Sequence, residues 1–347
     1  MRAAVLLAGR VSVEDVADPV RSGRLVLVRT NVSGICGSDL SVIDHGDEVD
    51  SLRREAAQRA PHSPIRAVSV DPAAAFVLGH EFSAEVIDPG PERPDLSPGD
   101  IVVAIPRLFD ADGAKHTIGF SAAFPGGFGE MMLLDPDFVL KVPDGADPLA
   151  AALTEPFAVA RHAVNATRQH GAAIVVGCGP VGLAIISCLV ADGWGPIVAS
   201  DLSETRRALA LQFGAEIAVD PRHETPVAAW HRTIGGETPV VFEAVGKPGV
   251  LDDVLMDSVA NTEIVVVGAM MGADQIRPML ALGRELTLRF VLGYSDDEFA
   301  ATLADISSGR LNAAALIHEV IALEDLPKAL PTIRSSPGKV LVAPPGR

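Results

Sequence analysis

The sequence predicts an α/β protein made of a β-rich domain and a doubly wound parallel sheet. Three observations carry this. Up to residue 145, short β-branched runs alternate with Gly, Pro and Asp turn signals. From residue 155 onward, continuous apolar runs of strand length alternate with helix-length segments. The first of those runs leads into Gly177-Cys178-Gly179-Pro180-Val181-Gly182, a glycine turn that opens a helix.

In chain order, Ala3 to Ala8 reads as a first strand, too short and poorly flanked for a secretion signal. Val26–Arg29, Glu85–Asp88 and Ile101–Ile105 follow as strands, with Ser97-Pro98-Gly99-Asp100 as a turn, and together suggest a compact barrel-like β domain. Asp47 to Ala75 departs from this pattern. Its charged start, with Leu52, Ala56 and Ala60 on one face, predicts a short surface helix, and Pro61, Pro64 and Pro72 predict an extended loop. Glu155-Pro156 opens a helix running to His170, with Gly171 as its cap. Ala172–Val176 is a buried strand, and a helix runs from Val181 to Ala191. Ile197–Ser200 is a second buried strand, after which Ser203 caps a helix ending before Gly214. Val240–Ala244, Ile264–Val267 and Leu286–Val291 complete the parallel sheet. Helices at Asp297–Ser307 and Leu326–Ile333 and a last strand at Lys339–Ala343 then return to the first domain. The expected domains are therefore 1–150 with 295–347, and 151–294.

Composition narrows the function. The chain has 347 residues, more than one ordinary core holds, with 48% apolar and 21% charged residues, as in a packed globular protein. The net charge of −17 leaves no basic face for nucleic acid or an anionic membrane. Arg53-Arg54 and Arg206-Arg207 sit among acids and read as solvated helix surface. No apolar stretch reaches spanning length free of Gly, Pro or charge. Cys36, Cys178 and Cys188 are too few for a disulfide framework or a four-cysteine metal site, so a reducing, cytoplasmic setting is expected.

The glycine turn sits where a dinucleotide site needs it. Gly177 permits the tight turn, Gly179 lets a pyrophosphate approach the backbone, and Gly182 brings helix and sheet together. The helix beginning at Pro180 and Val181 offers free N–H groups and the positive end of its dipole to phosphate. Asp201 ends the next strand about 20 residues on, where a carboxylate accepts the ribose hydroxyls and repels a 2′-phosphate. NAD is therefore expected, with Arg206 and Arg207 as the argument for NADP. The plainer reading is a glycine-rich turn that binds nothing; agreement of strand, turn, helix and acid weighs against it.

Cys36 in Gly34-Ile35-Cys36-Gly37-Ser38-Asp39 and His80 in Gly79-His80-Glu81 offer a thiolate and an imidazole, good ligands for zinc. By residue type alone, a lone cysteine is more often a small buried hydrophobe and a lone histidine a core or capping residue. These segments, together with Pro98-Gly99-Asp100, Gly126-Gly127-Phe128-Gly129-Glu130, Glu155-Pro156 and the glycine turn, make the chain resemble the zinc-dependent medium-chain dehydrogenases over nearly its whole length. That family includes alcohol, sorbitol and threonine dehydrogenases.

The resemblance implies a GroES-like catalytic domain and a Rossmann domain. It implies one catalytic zinc on Cys36 and His80, with Glu81 as a close or alternating ligand and Glu155 in the place of a third ligand. The bland role for Glu155 is an N-cap on the helix that Pro156 starts. Asp39 would hydrogen-bond His80 and fix its tautomer, and Ser38 would take the substrate proton outward. Two departures stand out. Arg107 to Ser121 has no cysteine where many relatives hold a structural zinc, so that second metal is expected to be absent. Ser41 stands where relatives often carry a proton-relay histidine; His45 is either the nearest substitute or a plain surface histidine. The long Asp47–Ala75 insert follows the ligand loop and could wall the substrate. The implied activity is hydride transfer between an alcohol or polyol and NAD; separately, the apolar Leu286–Val291 strand needs cover, so a homodimer or homotetramer joined at that edge is expected. The rivals are a zinc-free NADPH-dependent quinone or enone reductase, against which Cys36, His80, Glu155 and Asp201 argue, and an inactive NAD-binding sensor, supported only by Ser41.

Overall fold

The computed structural model describes residues 1–60, 62, 71, 73–236, 238–270 and 272–345. In chain order the elements are β1 (Arg2–Leu7), β2 (Arg10–Asp15), β3 (Val26–Gly34), α1 (Gly37–Arg59), β4 (Phe76–Val77), β5 (Glu81–Asp88), β6 (Ile101–Ala104), β7 (Arg107–Phe109), β8 (Lys115–Thr117), β9 (Met131–Leu134), β10 (Val139–Lys141), α2 (Pro148–Ala151) and α3 (Thr154–Asn165). There follow β11 (Ala173–Val176), α4 (Pro180–Ala191), β12 (Ile197–Ser200), α5 (Glu204–Gln212), β13 (Ile217–Val219), α6 (Pro226–Thr233), β14 (Val240–Glu243), α7 (Val250–Asp257), β15 (Glu263–Val266), α8 (Pro278–Gly283), β16 (Thr287–Phe290), α9 (Asp296–Ser307), β17 (Ile317–Ala322), α10 (Leu326–Ile333) and β18 (Lys339–Ala343).

The chain forms two compact units. One comprises Met1–Glu155, Phe299–Ser308 and the segment from Ala313; the other comprises Pro156–Glu298 and Gly309–Asn312. In the first, the main sheet runs β10-β6-β5-β3-β18-β17, with β9 also paired to β3. A small sheet β2-β1-β4 and the hairpin β7–β8 complete it. Val26, Val28, Ala84, Val102, Met132 and Leu134 are buried between these strands. The last strand enters the middle of the sheet: β18 pairs antiparallel with β3, with Leu341 opposite Gly34.

The second unit is a six-stranded parallel sheet in the order β13-β12-β11-β14-β15-β16. Ala173 of β11 is in register with Ile197 on one side and Val240 on the other. The chain order therefore reverses between β11 and β14, the switch point at which such sheets open a crevice beyond their carboxyl ends.

Several boundaries differ from the sequence expectation. β3 and β5 extend to Gly34 and back to Glu81. The added residues include Thr30, Asn31, Ser33 and Ser83, buried polar side chains that interrupt the apolar pattern. The helix opened near Glu155 starts at Thr154 and stops at Asn165, short of His170. Thr167 explains the early stop: its hydroxyl donates to the Val164 and Gln169 carbonyls, competing with continued helix. Glu155 consequently lies in the first helical turn and is not the N-cap. The helix expected at the start of the 47–75 insert is the second half of α1, a 23-residue helix interrupted at His45 (φ −137°, ψ 28°). Pro61, Pro64 and Pro72 of that insert lie outside the described residues. The arginine pairs are also more engaged than expected: Arg53 and Arg54 both reach Asp50, and Arg207 reaches the Asp201 and Leu202 carbonyls. Among the described residues, no helix is long and apolar enough to cross a membrane.

Candidate functional site

The end of β3 and the start of β5 lie side by side, with Gly34 opposite Glu81. This pairing brings together two loops that are distant in sequence. Cys36 follows β3 and precedes α1, while His80 directly precedes β5. One donor atom each from Cys36, His80 and Glu81 lies within 4.8 Å of the others. His80 and Glu81 are buried, and Cys36 is half-buried.

Asp39, fully buried in the first turn of α1, orders this group twice. Its Oδ2 accepts the Cys36 backbone N–H at 2.9 Å, the reciprocal half of a capping box. Its Oδ1 lies 3.3 Å from Nδ1 of His80. Burial alone would strip His80 of its proton. The Asp39 carboxylate and Cys36 outweigh burial and hold the ring protonated well above its ordinary range. With Nδ1 turned to Asp39, Nε2 is left for a ligand. Ser38 Oγ is 3.3 Å from that Nε2. Phe120 packs against the ring with centroids 5.0 Å apart.

Glu81 has no exposed surface. Its Oε1 accepts from Lys339 Nζ at 2.7 Å, while Oε2 is buried with no hydrogen-bond partner. Lys339 is 3% exposed and opens β18. Burial disfavours its charge, but Glu81, Cys36 and Glu155 outweigh that and raise its pKa. Glu155 thus reaches the electrostatic neighbourhood of the group through Lys339. Sequence reasoning missed Lys339, because a single lysine at a strand start carries no signal of burial. Ser41, which stands where relatives carry a relay histidine, donates to the Gly37 carbonyl at 2.9 Å, and the relay candidate His45, half exposed, lies 3.6 Å from Glu48.

In the second unit, the glycine turn joins β11 to α4. Gly177 has φ +94°, and a Cβ on Gly182 would collide with the Gly177 carbonyl oxygen, so both positions exclude side chains. Pro180 sits in the first turn of α4 behind Gly179, and Val181 follows it, leaving the first backbone N–H groups of the helix unpaired along its axis. Asp201 lies just beyond β12. Its Oδ2 accepts the Cys178 N–H at 2.8 Å and its Oδ1 the Ser203 N–H at 2.8 Å. The acid therefore fastens the glycine turn to the start of α5, where the Ser203 hydroxyl accepts the Arg206 N–H. Burial, and secondarily Asp201, push the Cys178 thiol up to about 12, so it is an inert side chain in the turn.

Glu243, buried at the end of β14, is a further organiser that sequence reasoning passed over. Its Oε1 accepts the Val245 and Gly246 N–H groups at 2.7 and 2.9 Å. That turn packs against Gly177.

Comparison with known proteins gives this arrangement a family. Residues 22–144 match the alcohol dehydrogenase GroES-like domain, and residues 180–308 match the zinc-binding dehydrogenase domain. The chain is 32% identical to (R,R)-butanediol dehydrogenase of Bacillus subtilis over 91% of its own length and 90% of that protein. It is 28% identical to D-xylulose reductase A of Aspergillus niger over 96% and 94% of the two chains. The crystal structure of 2R,3R-butanediol dehydrogenase from Bacillus subtilis superposes with a TM-score of 0.81 at 30% identity, covering 99% of each chain. The chain belongs to the zinc-type medium-chain alcohol and polyol dehydrogenase family. It is an enzyme, an oxidoreductase of alcohol and polyol groups.

Proposed function

We propose that the protein is a zinc-dependent, NAD-linked dehydrogenase of a small secondary alcohol, diol or polyol. The observation that carries this is the gathering of Cys36, His80 and Glu81 at one buried point. Sulfur, imidazole nitrogen and carboxylate oxygen are the donor types zinc selects. The buried, unpartnered Oε2 of Glu81 is the atom that a cation would satisfy.

A bound zinc ion supplies Lewis-acid polarisation of the substrate oxygen, and a bound nicotinamide accepts the hydride. The chain's own residues do the rest. With Asp39 on the Nδ1 side of His80, the imidazole would present its Nε2 lone pair to the cation. Cys36 binds as the thiolate. Glu81 supplies the third donor of this arrangement, and Glu155 is a proposed ligand on the family resemblance. The Ser38 hydroxyl, on the Nε2 side of His80, accepts the substrate proton and passes it outward. Across the glycine turn, the α4 N–H groups bind pyrophosphate and Asp201 takes the ribose hydroxyls, which favours NAD over NADP. Arg206 is the residue on which any NADP acceptance would depend.

We assign one metal per chain. Arg107–Ser121 contains no cysteine, and its hairpin is tied instead by His116, whose ring nitrogens lie 2.9 Å from Asp110 and 3.1 Å from Ser121. The names of the two relatives favour a vicinal diol or polyol. A homo-oligomer joined at β16 is supported by the place of that strand at the sheet edge, with Phe290 exposed, and a cytoplasmic location by the three cysteines forming no disulfide.

Metal analysis after dialysis, followed by a panel of secondary alcohols and polyols with NAD and NADP, tests the reading. One zinc per chain and alcohol-dependent NAD reduction are expected. Cys36→Ser should lose the zinc and more than about 100-fold in turnover, beyond the 10–100-fold typical of outer-shell changes. A metal-free chain that reduces quinones with NADPH would replace this proposal with the zinc-free reductase.

A further inference from the structure

The ion pair behind Glu81 is the buried charged contact that the hydride-transfer reading does not use. Lys339 belongs to the last strand, 258 residues from Glu81 in sequence. It is delivered by the pairing of β18 with β3, where the Ile35 N–H donates to the Val340 carbonyl at 3.0 Å. Lys339 and Glu81 side chains are 3% and 0% exposed. Gly34 lines the same space: a Cβ there would collide with Glu81 Oε2 and come within 3.3 Å of Lys339 Cε. The strand thus leaves room for this pair and for little else. The two carboxylate oxygens have different fates, one spent on the ammonium and one left without a partner.

We propose that Lys339 is a positioning residue that restrains Glu81 and so loosens the enzyme's hold on its metal. This rests on the metal reading above. With Oε1 fixed by Lys339, only Oε2 can turn to the ion, and Glu81 binds through one oxygen at most. The ammonium also cancels one of the negative charges that attract a dication to this low-dielectric spot. A site meant to exchange substrate oxygens gains from a carboxylate that cannot close fully on the metal, since a third protein ligand held loosely keeps a coordination position accessible.

The argument has a sign that distinguishes it from simple stapling of β18. Removing the ammonium leaves Glu81 buried and uncompensated in the metal-free protein, a costly state. A bound cation relieves that cost, so metal affinity must rise. If Lys339 only held the strand in place, its loss would slacken the site and affinity would fall.

The test measures zinc affinity of the full-length chain by competition with a chromophoric chelator. Lys339→Met should bind zinc at least about tenfold more tightly than wild type and show a larger zinc-induced rise in unfolding temperature. Lys339→Gln keeps a hydrogen-bond donor for Oε1 and removes the charge; it should tighten binding by less, and it carries the test if the Met variant fails to fold. In a Glu81→Gln background the Lys339 effect should disappear. Unchanged or weaker zinc binding in the folded Lys339 variants, or tightening that persists without the Glu81 carboxylate, overturns the proposal. Wild-type protein that binds no stoichiometric zinc overturns the metal reading itself, a separate result.

Discussion

Asp201 fastens the fold at the glycine turn, and in the proposed function it also selects the cofactor. Its two oxygens hold the Cys178 and Ser203 N–H groups, and each oxygen keeps a second lone pair for a ribose hydroxyl. Asp201→Asn keeps one acceptor oxygen and removes the charge that would repel a 2′-phosphate. The ratio of kcat/KM for NAD over NADP should fall at least about tenfold, consistent with the ~1.5–3 kcal/mol of a hydrogen bond to a charged group. An unchanged ratio would show that Asp201 only fastens the turn. At this scale the sequence was informative where residues sit in motifs: Cys36, His80, Glu81 and Asp201 all lie in short patterned segments. Lys339 was silent, since lysine is almost always exposed and nothing in Gly338-Lys339-Val340 marks burial.

Elements were legible when their period was local and uniform. β12, α10 and β18 have the boundaries their apolar runs predict, because each run is bounded by turn or polar residues. β3 and β5 run longer than predicted because buried Asn31, Ser33 and Ser83 break the apolar pattern beside the candidate site, where local patterning fails. The junction between α3 and the start of α9 depends on a charge. Glu298 receives His162 Nδ1 at 2.9 Å, Asn165 Nδ2 at 2.9 Å and the Ser295 N–H at 2.8 Å. Burial raises the pKa of its carboxyl group, but the Ser295, Asn165 and His162 bonds outweigh it and hold the pKa below the usual range. A depressed carboxyl pKa adds stability that is present above the unfolded value of about 4.3 and is lost as pH falls through the folded value. Glu298→Gln should therefore cost about 1 kcal/mol near neutrality. The difference from wild type should shrink between about pH 5 and about pH 3, read from unfolding temperatures. A gap that stays constant with pH would assign Glu298 a purely steric role.

At the scale of the whole molecule, the proposed oligomer rests on the outer side of β16. It is the edge of the six-stranded sheet, and Phe290 is 69% exposed, with Leu292, Met279 and Leu282 also exposed. An apolar edge of this kind is a template for strand addition, and a twofold axis would satisfy both copies at once. Phe290→Glu places two like charges across such an axis. Light scattering should find the wild type as a dimer or tetramer and the variant shifted to smaller species. A wild type that is monomeric at micromolar concentration would remove the proposed interface.

The sequence by itself determined the doubly wound half and the glycine turn, and it singled out Cys36 and His80 as the sulfur and imidazole donors of the proposed metal site. These depend on periodicity within a few residues and on short motifs that carry their own geometry. Only the tertiary structure decided that Glu81 shares its carboxylate with Lys339, that Asp39 faces both Cys36 and His80, and that Glu155 lies in a first helical turn instead of capping it. The Glu81–Lys339 and Asp39–His80 contacts depend on how β3, β5 and β18 register against one another, which packing across the whole sheet sets rather than any single stretch of chain, whereas the place of Glu155 follows from α3 beginning at Thr154.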